Sequence, residues 1–422
     1  MTTLLLGPRA RGRAVRLALL LLTVVLLHLA LPLGSRANGT GTVYVVNEGS
    51  GTVAVIDEQS HLVVTVIPVG ERPHSVAFSP LADKVYVVNS GSNSITVIDY
   101  RLESVVGTIP VPPSPQHLVV NPTGSSAYVS LAGVGALAVV DLNARRVTQE
   151  VPVEGIPHGL AFSPDGGTLY FSTYSAGRVS LLDPDTNQVE TALLERLSHT
   201  HVVASPVGDT FVVTDYGSEE LLVVNARTRE RERAITVGTG AMQAVVAPDG
   251  TTAYVAHAQR GQVLRVDLAS GEVTVLLDAI QEPAGIALTA DGSRLYVTSY
   301  AENAVYLLNP ETGALVTRID SAGDGPVGIA IAPKVDRQAP GPVGASPASL
   351  HFTRPRGLPP APPTAGEVGG TGGGRGFPTA LLAQIVAVPL VGGALVGAAV
   401  LYRRRQQRRR AIAVAQQPVM RR

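Results

Sequence analysis

Three observations in the sequence predict an all-β fold: a seven-bladed β-propeller of four-stranded antiparallel blades, closed by a strand latch. The phrase VYVVNSGSNSITVID over residues 85–99 occurs first as VYVVNEGSGTVAVID over 43–57 and returns, with decay, down to LYVTSYAENAVYLLN over 295–309. Its anchor aromatics, Tyr44, Tyr86, Tyr128, Tyr170, Phe211, Tyr254 and Tyr296, recur every 41–43 residues, the length of one blade. Turn chemistry recurs in phase, with Asp165-Gly166, Asp249-Gly250 and Asp291-Gly292 between first and second strands and DPDTNQ, DLASGE and NPETGA between third and fourth. A lone hairpin is marginal in water, so a chain that repeats one is stacking copies against each other.

Taken in order, the chain opens on Arg9, Arg11, Arg13 and Arg16, then an apolar run from Leu17 to Leu33 and the triplet Ser35-Arg36-Ala37. This is the pattern of a secretory signal peptide over 1–37, cleaved after Ala37; the alternative is a retained signal anchor. Either exports the segment that follows.

The propeller occupies 38–333. The copy that begins at Pro73 shows the four strands of one blade: HSVAFSP, VYVVN, ITVID and VVGTIPV. The middle strands are apolar at consecutive positions, as strands covered on both faces should be. The expected first strands fall near 74–79, 116–121, 158–163, 200–205, 242–247, 284–289 and 327–332. The repeats start on a second strand, GTVYVVN, and finish on a lone first strand, PVGIAIAP. The last strand can therefore complete the sheet begun by the first, hiding two edges.

Beyond the repeats, 334–376 is rich in Pro, Gly, Ala and Ser and cannot bury enough apolar surface to fold, so it reads as a disordered stalk. The run 377–402 carries no charge and is long enough to span a bilayer as one helix. The following 403–422 opens on RRRQQRRR, a basic tail that the positive-inside bias keeps in the cytoplasm. The expected localisation is the cell membrane, single-pass, with the propeller extracytoplasmic. The same tripartite end is similar to cell-surface sorting signals, but it lacks LPxTG.

The formal net charge of zero conceals a division: residues 38–333 carry 31 Asp plus Glu against 15 Lys plus Arg, while both ends are basic. Nucleic acid, whose binding rests on neutralised phosphates, is therefore not an expected partner. The absence of cysteine excludes disulfides, thiolate-bound zinc, iron–sulfur clusters and CxxCH haem attachment.

In a propeller the first strands line the central channel, so residues at their starts and at the ends of second strands converge on one mouth. The first set is His74, His117, His158, His199 and His201; the second includes Asp215, Tyr174, Tyr216, His257 and Tyr300. Imidazoles beside a carboxylate suit a divalent metal or general acid–base work, with His74, His158 and His201 as the candidate ligands. Their offsets from the strand-ending prolines differ by one residue, which favours the bland alternative of a polar, solvated mouth. No organic cofactor is implied. The tyrosines offer an amphipathic surface for a protein, peptide or glycan, or else blade-edge packing. No G-x-S-x-G, P-loop or H-E-x-x-H is present.

The phrases VYVVNSGSNSITVID, LYVTSYAENAVYLLNPETGALV and PHGLAFSPDGGTLYFS resemble the YVTN-type β-propeller repeat of bacterial and archaeal surface proteins, over residues 41–333. The copies depart from the pattern at Leu131, Thr173, His257 and Phe211. The resemblance implies a seven-bladed ring in an extracytoplasmic setting and little about chemistry. Two functions follow: a membrane-anchored binding or scaffold module at the cell surface, or an extracytoplasmic propeller enzyme, of lyase, lactonase or metal-dependent oxidoreductase type, working at a His-rich channel mouth.

Overall fold

Among the described residues, the alternation of β-branched runs with Ser, Gly, Asn and Asp turns is realised as 28 strands in seven four-stranded antiparallel sheets. The computed structural model describes residues 41–333 apart from 80, 195, 196 and 199. The signal peptide expected over 1–37, the stalk over 334–376, the helix over 377–402 and the tail over 403–422 lie outside the described residues. Among the described residues no helix is long and apolar enough to cross a membrane.

Position within a blade explains the burial of each strand. In β1 (Thr42–Asn47) and β2 (Thr52–Asp57) nearly every residue is buried, because neighbouring blades cover both faces; the outermost β3 (Leu62–Pro68) alternates between exposed and half-buried. The anchor aromatics are core: Tyr44, Phe211 and Tyr296 are fully buried and Tyr254, the most accessible, is 5% exposed. Burial also pushes the Tyr128 and Tyr170 hydroxyls up to about 12, the Asp183 carboxylate adding to it for Tyr128 and Asp165 for Tyr170.

The acids that close third strands accept turn hydrogen bonds, as their spacing predicts. Asp99 Oδ1 accepts from the backbone of Arg101 and Leu102, both at 3.0 Å, and Asp267 Oδ1 from Ala269 and Ser270 at 3.0 and 2.7 Å.

The inner strands are β4 (Pro73–Ser79), β8 (Pro115–Val120), β12 (Pro157–Phe162), β16 (Thr200–Ala204), β20 (Ala241–Val246), β24 (Pro283–Leu288) and β28 (Pro326–Ala332). Each packs against the next, and β28 packs against both β24 and β4, so the ring is closed. The closing device is the expected latch: β28 pairs with β1 from Thr42↔Ala332 to Val46↔Gly328. Glu58, 4% exposed, reinforces it by accepting from the Gly41 backbone N–H. Arg294 lies 3.6 Å from the Glu58 carboxylate and donates to the Glu58 carbonyl at 2.6 Å.

One irregularity positions the channel mouth. Six inner strands shift register near their first residues, as between Pro73 and Ser75 in β4 and between Pro157 and Leu160 in β12, whereas β16 runs without a shift from Thr200↔Asp215 to Ala204↔Phe211. A bulge inserts one residue and re-aims its side chain.

Candidate functional site: an imidazole cluster at the channel mouth

The bulges account for the unequal sequence offsets of the histidines. His74 in β4 and His158 in β12 each follow the strand-opening proline and occupy the first bulge position. His201 pairs with Thr214, next in from Thr200↔Asp215, as Ser75 pairs with Val88 next in from Pro73↔Asn89, so in this strand without a bulge it stands one step deeper than His74. His117 stands one residue further in, where β8 has Gln116 at the first bulge position. His117 and His201 thus share one depth, and His74 and His158 the other.

Close packing of the inner strands then brings the rings together. A Cβ on Gly159, next to His158, would stand 3.0 Å from the Cα of His201 and from the Val202 nitrogen, and one on Gly328 would stand 2.8 Å from the His74 carbonyl. Only glycine permits this approach of neighbouring strands. The bulge N–H groups are satisfied by hydroxyls from second strands: Ser130 Oγ accepts from His117 N at 3.0 Å and Ser172 Oγ from Gly159 N at 2.9 Å.

The result is a cluster of four imidazoles from four consecutive blades. Ring centroids are 4.4 Å apart for His117 and His158, 5.2 Å for His74 and His117, 5.1 Å for His117 and His201, and 6.4 Å for His74 and His158, all edge-on. His117 is the hub, touching the other three. Burial holds the His74 imidazole below its ordinary value of 6.5; the Glu48 carboxylate opposes this and the Arg72 guanidinium adds to it. His74 is therefore a neutral base at neutral pH, able to accept a proton or to coordinate. Tyr174 lies against the cluster, 5.9 Å from His158, and its hydroxyl is pushed up by burial.

The other expected residues have separate placements. His257 is fully buried, with Nε2 3.2 Å from the Gly238 carbonyl and Nδ1 accepting from the Arg260 backbone N–H at 3.3 Å. Asp215, 2% exposed, accepts from the Ser198 backbone at 3.1 Å and from the Ser198 hydroxyl. Asn89 does the same job in its own blade, its Oδ1 accepting from Gly70 N at 3.1 Å. These second-strand ends hook the loop that leads into the inner strand. Tyr216 and Tyr300 are half-buried beside that loop layer, Tyr300 against Gly325. His199 lies outside the described residues.

Two features escape a reading of the sequence alone. Gln243 is the third residue of β20, as His117 is of β8, with Nε2 3.4 Å from His201 Nε2 and Oε1 accepting from Ile286 N at 3.2 Å. Aligning inner strands backward from their apolar ends would have found it. The second is the rim pair Arg72 and Glu48, 3.3 Å apart, with the guanidinium 54% exposed. It joins two blades and depends on their closure.

Fold and site together define a seven-bladed propeller whose channel mouth is lined by imidazole. The chain belongs to the lactonase, 7-bladed beta-propeller family, whose model matches residues 105–336, more than half of its length. No curated protein matches the chain. Among solved structures it is similar to hydrazine synthase of Kuenenia stuttgartiensis, at 22% identity over 61% of this chain and 88% of that one, with a TM-score of 0.56. A putative 6-phosphogluconolactonase from Bacteroides uniformis ATCC 8492 aligns at 17% identity over 69% of this chain and 99% of that one, TM-score 0.57. The dihydro-heme d1 dehydrogenase NirN aligns at 15% identity over 71% and 77%, TM-score 0.54. At these identities the likeness shows the shared fold. Family and cluster together favour the enzyme reading over the surface scaffold.

Proposed function

We propose that this chain is an exported propeller enzyme of the lactonase type, opening a lactone or related ester that carries an anionic group. The observation that carries this reading is the convergence of His74, His117, His158 and His201 at the mouth of a lactonase-family ring. A neutral imidazole takes a proton from water as its oxygen attacks the acyl carbon. The acyl–oxygen bond of the ring breaks, and the proton passes to the leaving oxygen, so that a hydroxy acid forms with no other reagent. Arg72, exposed on the rim and close enough to bear on the His74 charge, supplies the counter-ion for an anionic substrate. The apolar runs at 17–33 and 377–402 support a propeller held outside the membrane by its C-terminal end.

The test is a pH-stat assay of the full chain against γ- and δ-lactones, neutral and anionic. We expect hydrolysis that prefers the anionic substrates and falls by about 10²–10⁴-fold in His74→Gln and His117→Gln, the range ascribed to a positioned acid–base group. No hydrolysis above buffer, or equal rates in the variants, would overturn the proposal. Saturable binding of a glycan or peptide without turnover would restore the scaffold reading.

A further inference from the structure

We propose that His74, His117 and His158 bind one divalent transition-metal ion at the channel mouth, with His201 as a fourth imidazole in reach and an anionic oxygen as the exchangeable ligand.

The geometry carries the site. One ligand nitrogen from each of the three residues lies within 4.8 Å of the other two. An ion centred among three such atoms would stand at most about 2.8 Å from each, and small χ rotations bring that to the roughly 2.0–2.1 Å of a zinc–imidazole bond. The rings meet at 78°, 63° and 73°, edge toward ring rather than stacked. Side chains so disposed can turn their nitrogens toward a shared point, as stacked rings cannot.

The donor set chooses the ion. Among the described residues the group contains no carboxylate and no thiolate. Hard cations such as calcium and magnesium need several oxygens, which three imidazoles do not offer, whereas imidazole suits zinc, copper, nickel and cobalt. Three neutral ligands leave the full positive charge of the ion uncompensated. The remaining position therefore favours hydroxide, a carboxylate or a developing oxyanion, and a bound water loses its proton far more readily than in bulk. The exposed Arg72 guanidinium at the rim draws anions to the same place.

The scaffold makes the site stiff. The three donors come from β4, β8 and β12, each locked in a separate blade, and Gly159 and Gly328 fix how closely β12 and β4 meet their neighbours. Geometry held by closed blades costs little ordering when the ion binds.

The proposal stands on ligand geometry, and an ion held by His74, His117 and His158 would itself supply the water activation that the lactone reading gives a free imidazole, so the test reads binding and not turnover. The full chain, stripped with chelator, is titrated with Zn²⁺ by calorimetry and with Co²⁺ by absorption spectroscopy, with Ca²⁺ as a second arm. The expected result is one Zn²⁺ or Co²⁺ per chain, visible cobalt bands in the tetrahedral range, and no calcium heat. Affinity should fall at least about 100-fold in His117→Gln and His158→Gln, since the lost imidazole is a direct ligand. Gln116 already occupies the first bulge position of β8, so His158→Gln places there a residue the fold accepts. His61→Gln, far from the mouth in a turn beside β3, should bind as the parent does. Folded parent protein that takes up no zinc or cobalt, variants that bind as tightly as the parent, or a preference for calcium would each overturn the assignment.

Discussion

Three residues at the channel mouth hold the ring by hydrogen bonding. Asn89, Asp215 and His257 end equivalent second strands and hook the neighbouring loop, so their variety in the sequence is three solutions to one structural need. Burial holds the His257 imidazole below 6.5, with the Gly238 carbonyl opposing and Arg260 adding to it. The sign follows. Above pH 6.5 the ring is neutral folded and unfolded, and the full stability is present. As pH falls below 6.5 the unfolded chain takes up a proton that the folded one refuses, and stability is lost toward the lower folded value. His257→Asn, which restores the residue of Asn89, should lose less melting temperature than the parent between about pH 7.5 and pH 5. Parallel decline of parent and variant in a calorimetric pH series would contradict it. Arg72 is a different case. Its φ of 47° places a bulky side chain in the left-handed region before Pro73, as Ser114 and Glu282 stand at φ 56° and 51° before Pro115 and Pro283. That bend costs roughly 1–2 kcal/mol and leaves the guanidinium on the rim.

At the scale of the strand, pairing was legible and bulges were not. Period-two β-branched runs and Asp-Gly turns specify each hairpin, because side-chain alternation and positive φ are local demands. The latch was legible too, since a chain that starts on a second strand and ends on a first has one way to close seven equal blades. Deleting 326–333 leaves the β1 edge without the partners Thr42↔Ala332 through Val46↔Gly328. We expect a broadened melt at lower temperature and self-association through the open edge, measured by calorimetry and size-exclusion chromatography. An unchanged melt would show that the latch does not close the ring. The bulges, in contrast, are set by how tightly inner strands crowd around the channel. Nothing local to QHLVV or HGLAF says which side chain the extra residue will re-aim. Counted along the chain, His117 and His201 stand one residue out of phase with His74 and His158, which argues against a shared site, yet the His117 and His158 rings stand 4.4 Å apart.

For the whole molecule, the acidic propeller between basic ends bears on topology more than on fold. If the N-terminal run is a signal peptide, the mature protein begins at Asn38 and fractionates with membranes through 377–402. Intact-mass and N-terminal analysis of the membrane fraction checks both. A chain that keeps Met1 and stays in the cytosol would sink the export reading.

By itself the sequence determined the number of blades, their order, the closing strand and the residues of the core, since a repeat of constant length must bury the same face in every copy. It also named the four histidines. Only the tertiary structure decided that they share one place. Their meeting depends on closing the ring, on glycines that let inner strands touch, and on bulges that turn side chains of different sequence offset into one channel; each of these is a property of neighbouring blades rather than of any one repeat.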